Sequence, residues 1–230
     1  MFDRGESAGA QICTDWSDGV SWMAHPEEGG QRVSHAIRTA DGVWLLDPLD
    51  APDIDRVLAD FGAVAGVAVL SCWHSRDADV FADRYDVPVS VPDWMGRVEQ
   101  RIDAPLERYS GSFPDSSIRA IPNRPFSIWD EMVLSHEASG TLIVPDSLGT
   151  IDSFLVGAER LGLQLLRRIR PPRQLNDLEP ERVLVGHGTG ITENGSAVLR
   201  AALRSPRRRV PRALVENGPA TLRNIIRTVG

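Results

Sequence analysis

VLSCWHSRDA, residues 69–78, is where an apolar run passes without a turn signal into a cluster of chemistry-bearing side chains: Cys72, His74, Arg76 and Asp77. Its first residues complete VAVL (67–70), four consecutive apolar residues that predict a short strand buried on both faces. Upstream, the alternation in VSHAIRT (33–39), the turn Ala40-Asp41-Gly42 and the apolar VWLL (43–46) predict a β-hairpin whose second strand is buried and ends on Asp47-Pro48. A helix is predicted between these strands, with Ile54, Val57, Leu58 and Phe61 on one face and Gly62 as its stop. Downstream, helical spacing over 77–85 places Val80, Phe81 and Tyr85 together, and VPVSV (87–91) returns as a strand.

The stretch 92–117 is polar and broken by Pro105, Gly111 and Pro114, which predicts irregular or helical cover over one end of a sheet. Strands are predicted at 118–121, 127–135, 141–144 and 182–186. Helices are predicted over about 153–168 and 192–203, and a short terminal helix should bury Leu222, Ile225 and Ile226. Strands alternate with helices throughout, so the expected class is α/β with helices on the outside.

Four predicted strands end on residues that can bind a ligand: Asp47, the pair Cys72 and His74, Asp146 and His187. In layered α/β folds such ends converge on one edge, where ligands and metals bind. Each also has an ordinary structural role, because Asp caps turns, Cys packs as a small apolar residue and a histidine between glycines sits in a tight loop. Their joint recurrence at strand ends is the stronger signal.

Taken in chain order, GVWLLDP (42–48), VLSCWHSRDA (69–78), TLIVPDSLG (141–149) and VLVGHG (183–188) resemble the metallo-β-lactamase superfamily. The resemblance covers most of the sequence and implies an αββα sandwich of mixed β-sheets with outer helices. It implies a chemistry too: in that family two metal ions held by imidazoles and carboxylates activate a water that attacks an ester, amide, thioester or phosphodiester.

Carrying the family's T-H-x-H-x-D-H loop onto this sequence puts its first histidine on Cys72, its second on His74, its aspartate on Arg76 and its last histidine on Asp77. The family's third histidine falls within 117–127, which contains none; Asn123 is the nearest polar residue there. Asp146 and His187 match. The resemblance therefore implies a reduced site in which His74, Asp146 and His187, with Cys72 or Asp77, hold one zinc, iron or manganese ion, or none. Arg76, a permanent cation that only donates, would replace the second ion by pairing with Asp146 or Asp77, or would bind a carboxylate or phosphate ligand. Asp47 and Asn123 would line the same pocket.

Composition narrows the alternatives. All 25 cationic side chains are arginines, and without lysine there is no P-loop of the GxxxxGK[ST] kind, no Schiff-base lysine and no kinase ammonium. HExxH and GxGxxG motifs are absent too. A length of 230 residues with 42% hydrophobic and 25% charged residues fits one globular domain, 1–230, with an arginine-rich segment over about 204–230. The net charge of −7 is divided: eight arginines against Glu216 alone make residues 200–230 +7, leaving −14 for the rest. The positive segment suits either the chain's own acidic surface or a nucleic-acid backbone. The second is the less expected, since no stacking aromatics or recognition helix accompanies the arginines. Two distant cysteines, Cys13 and Cys72, offer no disulfide framework. The amino terminus lacks signal-peptide features and no apolar run approaches a membrane span, so a cytoplasmic chain is expected. Three functional readings follow from these features: a divergent metal-dependent hydrolase, a non-catalytic descendant binding a small anion or acting as a scaffold, and a nucleic-acid-binding member.

Overall fold

A computed structural model describes residue 7 and residues 9–217. Two β-sheets face each other. The larger runs, in spatial and chain order, through β1 (Gln11–Trp16), β2 (Gly19–Met23), β3 (Ser34–Thr39), β4 (Gly42–Leu46), β5 (Val64–Ala68), β6 (Val89–Pro92) and β7 (Leu106–Tyr109). Strands β1 to β4 are antiparallel, as hairpin connections allow, whereas β4 to β7 are parallel. Helix α1 (Ile54–Ala59) makes the crossover from β4 to β5, and α2 (Ala78–Tyr85) makes that from β5 to β6. The smaller sheet contains β8 (Ile118–Asn123), β9 (Glu131–His136), β10 (Thr141–Val144) and β13 (Arg182–Val185), in the order β13-β10-β9-β8. Between β10 and β13 lie the two-residue pair β11 (Leu148–Gly149) and β12 (Gly162–Leu163) and helix α3 (Leu165–Ile169). Helix α4 (Gly195–Leu203) follows β13.

Alternation along the strands divides the core into three layers. On β4, Val43 and Leu45 join Ile54, Leu58 and Phe81 beneath α1 and α2, while Trp44 and Leu46 point between the sheets. On β10 and β13, Leu142, Val144, Val183 and Val185 face Val198 and Leu199 of α4, while Ile143 and Leu184 meet Leu46 and Leu70 across the interior. Strands buried on both faces read as continuous apolar runs, which is why VWLL and TLIV stood out in the sequence. The result is the expected αββα sandwich.

Three regions differ from expectation. The helix predicted over 153–168 is replaced by turns, β12 and the short α3. Gly162 explains the break, because its Cα packs so close to the Phe154 carbonyl that a Cβ there would lie 2.0 Å from that oxygen. The apolar residues that gave the helical pattern, Leu161 and Leu163, instead enter the core beside β11. The 92–117 stretch adds to its 3-10 turn at Gly96–Arg101 an edge strand, β7, whose exposed Glu107 and Arg108 hid it from any apolar pattern. The β1–β2 hairpin at the opposite edge was not anticipated at all. The predicted terminal helix around Leu222, Ile225 and Ile226 lies outside the described residues. Among the described residues, no helix is long and apolar enough to cross a membrane.

Candidate metal centre

Parallel pairing of β4 with β5, and of β10 with β13, sends the carboxyl ends of these four strands to one edge of the sandwich. Asp47 follows β4, Ser71 to His74 follow β5, Asp146 follows β10 and His187 follows β13. Close approach of these loops depends on Gly186, where a Cβ would stand 2.4 Å from the Pro145 carbonyl oxygen and 2.9 Å from Cε1 of His74. No other residue lets the end of β13 lie against both the Asp146 turn and the His74 ring.

Among the described residues, His74, Asp146 and His187 form the group of ligand-type atoms that lie within 4.8 Å of one another, and all three side chains are buried. His74 Nε2 is 3.1 Å from Asp146 Oδ1, and His187 Nε2 is 3.3 Å from the same oxygen. The opposite ring nitrogens are anchored. His187 Nδ1 donates to the Gly30 carbonyl at 2.7 Å, and because a carbonyl only accepts, the proton must sit on Nδ1. His74 Nδ1 donates in the same way to Asp47 Oδ2 at 2.7 Å, while Asp47 Oδ1 accepts the Leu70 N–H. Both rings therefore turn Nε2 towards one carboxylate oxygen. Ser71 Oγ donates to the other oxygen, Oδ2.

The charges are strongly coupled. Burial and then the Arg76 guanidinium push the His74 imidazole down, but Asp146 and Asp47 outweigh them and raise its pKa above the ordinary histidine value. Burial would raise the Asp146 carboxyl, yet the two imidazoles hold it well below the usual carboxylate range. The protein alone thus keeps an anionic oxygen between two imidazole nitrogens.

The other anticipated site residues take different positions. Asp77 stands apart: its Oδ2 accepts the Asp50 N–H at 2.8 Å and it precedes α2, so its carboxylate serves the turn after β4. Cys72 is buried with its thiol directed to the Ile128 carbonyl at 3.8 Å, outside the histidine–carboxylate group, and burial pushes its pKa up to about 11. Arg76 corrects an expectation. Instead of pairing with Asp146 or Asp77, its Nη1 donates to the carbonyls of Val33 (2.6 Å) and Asp47 (2.8 Å), and its Nη2 to Gly186 (3.2 Å). Residue 76 has φ +45°, a left-handed conformation that directs the side chain back under the strand ends. There it ties together the chain segments that carry Asp47 and His187. Asn123 is buried at the end of β8, where it bonds Glu131, Ser147, Arg167 and Gln174 rather than the histidines.

Three polar residues at this edge were not anticipated: Ser71, Glu131 and Arg167. Glu131 carried a readable signal, since it is an acid directly preceding the apolar Met132, Val133 and Leu134. Arg167 carried none, because an arginine beside a second arginine reads as solvated surface. In the arginine-rich segment, Arg207 donates to the Ile169 carbonyl, Arg209 pairs with Glu159 at 2.9 Å and Arg212 pairs with Glu216.

Comparison with solved structures bears on the architecture. DIM-1 metallo-β-lactamase superposes with a TM-score of 0.62 at 14% identity, over 88% of this chain and 99% of that one. The fold is that of the metallo-β-lactamases. FIM-1 from Pseudomonas aeruginosa, in its mono-zinc form, is similar over 90% of this chain and 99% of its own, with TM-score 0.58 and 12% identity. TTHA1623 in a di-iron-bound form is similar over 76% of this chain and 95% of its own, with TM-score 0.55 and 15% identity. No family model matches the sequence, and no curated protein matches it. At these identities the likeness establishes the metallo-β-lactamase fold and leaves the chemistry to the residues at the strand ends.

Proposed function

We propose that the chain is a metal-dependent hydrolase of reduced type, holding one divalent ion on His74, Asp146 and His187. The observation that carries this reading is the fixed orientation of the two imidazoles. Each has its Nδ1–H committed, one to a carboxylate and one to a backbone carbonyl, and each presents Nε2 to Asp146 Oδ1. This is the outer arrangement that orients metal-binding histidines. Ligands about 2 Å from a tetrahedral ion stand about 3.3 Å apart, close to the nitrogen–oxygen separations found here. The donor set therefore fits a single small divalent ion of the zinc, iron or manganese kind. Three protein ligands leave a coordination position for water or substrate, as catalytic sites require.

When bound, such an ion supplies Lewis acidity, which polarises the bond under attack and acidifies water. The chain's own residues supply the rest. Asp47 keeps the His74 ring in one tautomer, Ser71 holds the second oxygen of Asp146, and Arg76 fills the neighbouring region with a fixed positive charge. That last feature supports one ion rather than two. The mono-zinc form of FIM-1 is a precedent for a single ion on this fold.

Metal analysis of protein purified without chelator tests the proposal. About one equivalent of metal is expected, falling to background in His187→Ala. Metal-free protein whose melting temperature is unmoved by added zinc or by chelator would overturn it. A second reading, a non-catalytic descendant, is supported by Arg76 standing where the family resemblance places a ligand for the second ion. In that reading the pocket binds a small anion or serves as a scaffold, and no turnover is expected on a panel of ester, thioester, lactam and phosphodiester substrates.

A further inference from the structure

We infer that Glu131 is the positioning residue for Asp146: from one place in the fold it fixes both the backbone and the carboxylate of that residue. The inference rests on the proposed metal reading and extends it to a residue that the family resemblance did not point to.

Glu131 begins β9 and is fully buried, at 0% exposure. Its side chain reaches the turn that follows β10. Oε1 accepts the backbone N–H of Asp146 and that of Ser147, both at 2.8 Å. Oε2 accepts Asn123 Nδ2 at 2.6 Å, Trp129 Nε1 at 3.1 Å and the Ser147 hydroxyl. The carboxylate is thus surrounded by donors, two of which belong to the metal-ligand residue and its successor. The backbone of Glu131 acts on the other side of the same ligand. It forms a β-bridge with Ser71, whose hydroxyl holds Asp146 Oδ2. The neighbouring bonds from Met132 N–H to the Leu70 carbonyl and from Cys72 N–H to the Asp130 carbonyl lock that bridge. The peptide of Asp146 and the oxygen that faces away from the histidines are therefore both set from position 131, which leaves Oδ1 as the oxygen offered to His74 and His187.

The countercharge is held one step away. Arg167, 1% exposed, donates through Nε to Ser147 Oγ at 2.9 Å and through Nη2 to Asn123 Oδ1 at 2.8 Å. Asn123 Oδ1 also accepts Gln174 Nε2, so the amide of Asn123 has its orientation decided from both ends. Its carbonyl faces Arg167 and its NH2 faces Glu131. A buried carboxylate and guanidinium bridged by a hydroxyl and an amide form a network in which every link has one allowed direction. An apolar residue at 131 would fill the space but would leave the Asp146 and Ser147 N–H groups without an acceptor.

Glu131→Gln is the decisive variant because it keeps the shape and breaks the pattern. In one amide orientation its NH2 faces three donors, and in the other it faces the Asp146 and Ser147 N–H groups. Expected is a fall in zinc affinity of about tenfold or more, the size seen when outer partners of metal ligands are removed. A displaced cobalt(II) absorption band should accompany it, with cooperative unfolding retained. A role confined to holding the fold would lower the unfolding midpoint and leave the band of the folded fraction in place. A folded Glu131→Gln protein with wild-type affinity and an unchanged cobalt spectrum would overturn the inference. If that variant does not fold, Trp129→Phe removes one donor from Oε2 while keeping an aromatic ring. A weakening of metal binding of a few fold is then expected, and none would overturn it. If the wild-type protein takes up no metal, the metal reading fails and the positioning claim is read from amide hydrogen exchange. Exchange at Asp146 and Ser147 that accelerates in Glu131→Gln or Trp129→Phe relative to the amides of β10 upholds the claim; unchanged exchange overturns it.

Discussion

Arg76 and Asp146 lie at the same strand-end edge, both charged, the first half-buried and the second buried, yet the fold engages them in opposite ways. Arg76 gives its protons to three backbone carbonyls, groups that belong to the framework and have no alternative state. Asp146 is met by two imidazoles, whose nitrogens can carry a proton or release it and bind an ion. The first arrangement is permanent and joins strands. The second is exchangeable, which is what a metal centre requires. One edge of one fold therefore holds a closed charge next to an open one, and substitutions at the two positions should fail in different currencies: stability for Arg76 and metal binding for Asp146.

The largest effect is expected at the closed charge. Arg76→Met keeps most of the stem but removes the guanidinium that three carbonyls share, leaving Asp47 and Gly186 only their bonds from Ser34 Oγ and the Val33 N–H. Loss of three part-buried, charge-assisted hydrogen bonds should cost about 3 kcal/mol. Urea unfolding read by tryptophan fluorescence would show it as a lower midpoint with similar cooperativity. A change below about 0.5 kcal/mol would mean that Arg76 does not tie the strand ends together.

Asp146→Asn sits on the other side of the comparison. The amide is nearly isosteric and can still accept on one atom, but it removes the anion that two imidazoles share. Metal affinity should fall by about a hundredfold or more, measured by competition with a chromophoric chelator, because a charged ligand is lost outright. The unfolding midpoint should move less than in Arg76→Met. If the order is reversed, with stability lost at Asp146 and metal binding lost at Arg76, the contrast between closed and open charge is wrong.

The sequence revealed the open charge more fully than the closed one, and the reason is physical. Asp146 and His187 terminate apolar strands, and strands buried on both faces announce themselves as continuous runs, so their ends could be located to the residue. The α/β class was legible for the same reason, and the αββα arrangement followed from the family resemblance that these strand ends carry. Arg76 was singled out, but its partners were not, because a guanidinium bound to backbone carbonyls selects no residue types and so leaves no trace in sequence. Asp77 and Cys72 looked like ligands by chemistry. Their local geometry, a helix start for one and an apolar wall for the other, turned them elsewhere. Glu131 shows the limit of strand reading. Its place in β9 was legible from the Met132 to Leu134 run, but which strand-end turn its carboxylate would serve depends on β9 and β10 being neighbours. The false helix over 153–168 has the same origin, since Gly162 is required by the approach of Phe154, a contact that no local pattern contains.

The smallest effects are expected at the two ligand-type residues that the fold directs away from the centre, and they sharpen the comparison by marking its boundary. Asp77→Asn weakens the acceptor for the Asp50 N–H, a single hydrogen bond at a turn, so a loss of about 1 kcal/mol with unchanged metal affinity is expected. Cys72→Ser should leave metal affinity within about twofold, since the thiol faces the Ile128 carbonyl and not the histidines. The wild-type thiol supplies an independent check through its pH dependence. Burial raises its pKa to about 11, so near neutrality the protonated, poorly nucleophilic form dominates. Alkylation of folded protein by iodoacetamide, read at Cys72 by peptide mass, should be slow at pH 7 to 8 and rise towards pH 10, and zinc should not protect it. Zinc protection at neutral pH would place the thiolate on the ion and move Cys72 inside the centre, extending the open region by one ligand.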